Sequence, residues 1–189
     1  GDVLLAIGNA LFPALISAPE GAADIVLNFR MPRILLAVLT GVALAAAGAV
    51  MQGLLRNPLV SPFTLGLSSA ASFGAALMIV LGPAVFGAFF AGSVVFFGFE
   101  FTTKSLLLIL SAFLFGWLSV IIVYLISRVR QTSQAVMVLA GVVIGYLFQA
   151  GLLALKYVSN DDALREIVTW MMGGMWGATW QTVCILTPV

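Results

Sequence analysis

The 189-residue sequence has no histidine and a single cysteine, Cys184. One thiol cannot form an intramolecular disulfide, and without imidazole the usual donor sets for a transition metal are missing, so no metal site is expected. Charge is as scarce. Asp, Glu, Lys and Arg make up 8% of the chain, where soluble domains carry about 25%. The net charge of +1 is too small to point to nucleic acid. No charged residue falls within 34–55, 57–99, 105–127 or 131–155. Proton- and ion-coupled carriers place ionisable groups inside their spans, and nothing here supplies one. A G-x-x-x-x-G-K-[ST] phosphate loop is also missing, so the chain offers no nucleotide site of that kind.

What the chain has is apolar length. Hydrophobic residues account for 62% of it. In lipid every backbone N–H and C=O must be paired internally, which leaves helices or a closed barrel. Barrel strands alternate in polarity and these runs do not, so the fold class is all-α, a polytopic helical membrane protein.

The run that follows Arg30-Met31-Pro32-Arg33 is long enough to cross a bilayer core, which takes roughly 20 residues. The span is placed at 33–55, with Pro32 as first helical residue and Asn57-Pro58 as its stop. Gly41, Ala45, Ala49 and Gly53 recur every four residues and form one stripe. Small residues let helix backbones approach closely in lipid, so the stripe reads as a packing surface. Further spans are expected at 64–82, ending at Gly82-Pro83, at 105–126, at 133–155 with the pair Gly141 and Gly145, and from 181 onward. Residues 83–104 read as a surface or re-entrant connection.

Residues 160–173 differ. Leu164, Ile167, Val168, Met171 and Met172 fall on one helical face, Asp161 and Asp162 sit where the dipole favours acids, and Asp161 can pair with Arg165. This is an interfacial amphipathic helix, with Trp170, Trp176 and Trp180 suited to the aromatic belt. Residues 1–32, with Pro13, Pro19 and three acids, read as an extracytoplasmic segment with a short surface helix over 3–17, not a signal peptide. The chain opens on Gly1 and closes inside an apolar run, and is read as part of a larger fold. Alternating the spans puts Arg56, Arg128 and Arg130 on one side and all seven acids on the other.

R-M-P-R, then L-T-G-V-A-L-A-A-A-G-A-V-M-Q, then R-N-P-L-V-S-P-F-T-L-G, followed by L-A-G-V-V-I-G (139–145) and W-M-M-G-G-M-W-G-A-T-W (170–180), together resemble the FecCD permeases. These are membrane subunits of ABC importers for ferric siderophores, haem and cobalamin. The resemblance runs from about residue 25 to the end. It implies part of a fold of about ten spans, from its second to the start of its sixth, without the coupling loop. It also implies the partners: a second permease subunit, a cytoplasmic ATPase dimer and an extracytoplasmic substrate-binding protein, in the inner membrane.

The resemblance assigns residues as well. Arg30 and Arg33 would meet carboxylates of the binding protein; otherwise they snorkel to lipid phosphate. Asn57, Pro58 and Leu59, with Thr132, Ser133 and Gln134, would form an inner gate, and Asn160 the outer constriction; otherwise these are ordinary turn residues. Gln52 and Gln149 either bond between helices or line a polar path, and Met137, Met171 and Met172 read as packing or lipid-facing. The expected function is passive translocation of a metal chelate through neutral walls. A secondary transporter or a non-transporting membrane scaffold is the alternative.

Overall fold

The computed structural model describes residue 5 and residues 24–96, 99–129, 134–175 and 177–187. The expected short helix over 3–17 (Leu5 apart), Arg130, Thr132, Ser133 and Trp176 lie outside the described residues. The chain divides into two compact units, Gly1–Ala45 with Gly174–Val189, and Ala46–Gly173. Among the described residues four helices are long and apolar enough to cross a membrane.

The first helix begins upstream of its expected start. A π-helical segment, Ile25–Arg30, runs directly into α1, Met31–Leu55, so Pro32 is an interior residue rather than the first. An interior proline removes one backbone bond and crowds the carbonyl four residues back. The wider π turn absorbs that conflict, with the Met31 N–H bonded to the Val26 carbonyl. Ile34–Leu55 still spans about 33 Å at 1.5 Å per residue, close to a hydrocarbon core of about 30 Å.

The stop after α1 also differs from expectation. The left-handed residue is Arg56, at φ 44°, and not Asn57. Pro58 restricts the residue before it to extended conformations, which moves the cap back by one. Asn57 instead accepts the Leu59 N–H on its side chain at 3.0 Å. Gln52 donates its amide to the Pro58 carbonyl at 3.0 Å, a bond within its own turn rather than between helices.

A 3-10 turn, Pro62–Leu65, follows, held by reciprocal bonds between Ser61 and Thr64. Gly66, at φ 73°, then opens α2, Leu67–Phe86. Gly82-Pro83 does not break this helix. Gly82 carries no side chain to clash with the Phe90 ring packed on it, and the next turn closes through Gly87 N–H to the Pro83 carbonyl. A second 3-10 turn, Gly87–Ala91, leads to a hairpin of β1, Ser93–Phe96, and β2, Phe99–Thr102, which pairs Ser93 with Thr102 and Val95 with Glu100. The stretch 83–104, expected as a surface or re-entrant connection, thus contains a small sheet.

The remaining helices are α3, Thr103–Val129; α4, Gln134–Val158; α5, Asp161–Met172; and α6, Trp180–Leu186. In the unit Ala46–Gly173, α2 runs antiparallel to α3 and parallel to α4, as three contacts show. Gly74 meets Ser111 and Phe115, Gly151 meets Phe73, and Gly141 and Gly145 meet residues 64–66. Each helix gives one ring to a central cluster, Phe73, Phe115 and Phe148, with centroids 5.3, 5.7 and 6.2 Å apart. Two buried hydroxyls of α3 reach carbonyls of neighbouring elements: Ser111 donates to Gly74 at 2.7 Å and Ser119 to Leu65 at 3.2 Å. An unpaired hydroxyl in lipid costs several kcal/mol, so these bonds fix helix register.

In the other unit, Trp180 Nε1 donates to the Leu27 carbonyl at 3.0 Å, tying α6 to the π-helical segment. The small stripe of α1 was expected to be packed. Among the described residues nothing lies within 4 Å of a Cβ built at Gly41 or Gly53, and Ala45 and Ala49 are exposed.

Candidate functional site

Polar chemistry in Ala46–Gly173 gathers in three places. At the Leu67 end of α2, the turn from Asn57 to Gly66 packs on α4. A Cβ at Gly141 would stand 2.7 Å from Leu65 Cα and one at Gly66 would stand 2.8 Å from Gly145 Cα. The glycines therefore let an irregular turn lie flush against a helix. Beside that contact is a notch of about 210 Å³ bordered by Thr64, Ser69, Tyr146 and Gln149. Asn57, Pro58 and Leu59 stand at this end, with Pro58 and Leu59 exposed; Gln134 begins α4.

The second place is α4 itself. Its inward face, Ala140, Gly141, Ile144, Gly145 and Leu152, is buried. Tyr146, Gln149 and Tyr157 are exposed and, three and eight residues apart, fall on one face of the helix, which exposed Val142 and Leu153 share. Asn160 lies beyond the end of α4, in extended conformation. The exposed Gln149 on that face is unfavourable to present to lipid, since a free amide there has no partner. It suits a wet passage.

The third place is the Phe86 end. Asn160 caps α5, its side chain accepting the Ala163 N–H at 2.9 Å. Glu166 pairs with Lys104 Nζ at 2.7 Å, the one salt bridge among the described residues, so the expected Asp161–Arg165 pair is not formed. A Lys aliphatic stem brings the charge over Phe90, 5.8 Å from the ring centroid. Sequence gave no pairing signal for Lys104 and Glu166, which stand 62 residues apart; only their shared side of the membrane linked them.

Arg30 and Arg33 lie in the other unit and are exposed. Three residues apart on continuous helix, they share a face, and neither pairs with a carboxylate among the described residues.

The chain matches the model of the FecCD transport family over residues 2–189. It is 35% identical over 200 residues to the hemin transport system permease protein of Yersinia pestis, covering 99% of this chain and 54% of that one. It is 30% identical over 180 residues to the Fe(3+)-citrate import system permease protein of Bacillus subtilis, covering 95% and 48%. A solved structure described as a metal-chelate type ABC transporter in an inward-facing conformation superposes with a TM-score of 0.68 at 29% identity, covering 96% of this chain and 54% of that one. The chain spans about half the length of the curated relatives it matches. Four helices long and apolar enough to cross a membrane among the described residues, together with permease relatives, make it a multi-pass protein of the inner membrane. On the match over nearly its whole length, the chain belongs to the FecCD transport family.

Proposed function

We propose that the chain is part of the permease subunit of an ATP-driven importer, passing an iron-siderophore or related metal chelate such as haem or cobalamin. The observation that carries this reading is the uncharged face of α4 on which Tyr146, Gln149 and Tyr157 are exposed among Val142 and Leu153, opposite the buried face of the helix. Neutral hydrogen-bonding walls solvate a bulky chelate without trapping it, as conduction requires binding weak enough to release.

In this reading the Phe86 end of α2 faces outward. Arg30 and Arg33 meet acidic groups on the substrate-binding protein, where complementary charge speeds encounter and sets register. Asn57, Pro58 and Leu59, with Thr132, Ser133 and Gln134, form the inner gate, and Asn160 the outer one. A second permease subunit completes the passage, and an ATPase dimer on the cytoplasmic side binds ATP and Mg.

Cysteine accessibility tests it. In the full-length subunit with Cys184 replaced by serine, cysteines at Tyr146 and Gln149 should react with a water-soluble thiol reagent and be protected by cargo. A cysteine at Leu147, exposed on a different face, should not. Equal inertness at all three positions would contradict a wet passage along the face of Tyr146 and Gln149.

A further inference from the structure

The helix α5 rests on its unit through Ala163, Ile167 and Trp170, which pack on one apolar cluster. Ile167 is its one buried residue, at 1% exposure, seated among Ala76, Ile79, Phe90, Leu108 and Leu152. Both ends are breaks: Asn160 is extended before the helix, and Gly173 and Gly174 follow it at φ 66° and 156°. Under the first turn lies a cavity of about 490 Å³, bounded by Ile79 and Pro83 of α2, by Phe90 and by Ala163. The turn that carries Asn160 is therefore backed by open volume, while the middle of the helix is anchored.

Lys104 closes that gap from the far side. Its Nζ reaches both oxygens of Glu166, at 2.7 and 2.8 Å. The lysine is steadied by the Phe90 ring beneath it, and Phe90 sits in the space that Gly82 leaves. The pair thus joins the start of α3, the second 3-10 turn and α5. Both side chains are about one-third exposed, at 38% and 35%. Ion pairs so exposed add little to overall stability, so the consequence of this one lies in where it holds α5.

We propose that Lys104 and Glu166 are a positioning pair that straps α5 across the cavity and so fixes where Asn160 stands in the outer constriction. The proposal rests on the importer reading above for the second half of that statement and on geometry for the first. Neither residue touches cargo.

The test uses the full-length subunit assembled with its ATPase in liposomes, with Cys184 replaced by serine. Spin labels at Met172→Cys on α5 and Leu81→Cys on α2, both exposed, report the position of the helix by electron–electron distance. The native pair should give one narrow distance distribution. Glu166→Gln and, separately, Lys104→Met should broaden it and lower ATP-driven chelate uptake roughly two- to tenfold, the scale of mutations along a coupling route. The exchanged pair Lys104→Glu with Glu166→Lys should restore both. A distribution unchanged in both single variants, or no recovery in the exchange, overturns the strap. A broadened and restored distribution with uptake unaltered keeps the strap and removes the outer-constriction reading.

Discussion

Gly141 lies directly against Leu65: a Cβ built on it would stand 2.7 Å from the Leu65 Cα and equally close to the Thr64 carbonyl oxygen. Backbone on backbone at that distance cannot yield by rotating a side chain. Gly141→Ala should therefore destabilise the subunit by about 1–3 kcal/mol, the usual cost of overpacking. Gly41→Ala in this chain, where nothing stands within 4 Å, should be neutral or slightly stabilising, since alanine favours helix over glycine. Denaturation midpoints in mild detergent measure both. Equal losses would show that the Gly141 contact is not a constraint.

Arg56 carries a positive φ of 44° without being glycine. Arg56→Gly should relieve that strain and stabilise the turn by up to about 1 kcal/mol, while Asn57→Ala, losing its bond to the Leu59 N–H, should loosen it. Thermal midpoints of the two variants should move in opposite directions.

Asn160→Ala removes the side-chain cap on Ala163 N–H, a loss of about 0.5–2 kcal/mol in helix stability. Hydrogen exchange should quicken in the first turn of α5 and stay unchanged in α4. Uniform quickening would mean that the cap serves the whole bundle.

Arg30→Glu together with Arg33→Glu should weaken docking of the binding protein by at least tenfold at low salt, with the difference shrinking as ionic strength rises past a Debye length of about 10 Å at 0.1 M. Docking affinity that does not change at low salt would return these arginines to lipid phosphate.

The spans were legible because uncharged length is a direct reading of the bilayer, and α5 because its apolar residues follow a helical period. The amphipathic start was legible too: Asn160 caps α5 just before its two acids. What escaped were outcomes of competition between local rules and packing. Pro32 and Pro83 look like boundaries, yet helix runs through both, past Pro32 after a π turn and past Pro83 to a bond from Gly87 N–H to the Pro83 carbonyl. Asn57 looks like the cap until Pro58 forbids it. The hairpin at 93–102 was hidden in a phenylalanine- and glycine-rich stretch whose alternation is only four residues long on each side. For Gln52 the sequence offers a bond between helices or a polar path, and does not show that Pro58 folds back to it. The stripe of α1 was correctly seen as small residues, but what covers them is not a property of these residues alone.

The account stands on a neutral passage driven from outside the chain, and uptake in liposomes tests it most directly. The full-length subunit, its ATPase and its binding protein are reconstituted with labelled ferric siderophore, and proton and sodium gradients are imposed or collapsed. Uptake that requires ATP and ignores both gradients is the predicted result. Uptake that persists without ATP and follows an ion gradient would contradict it.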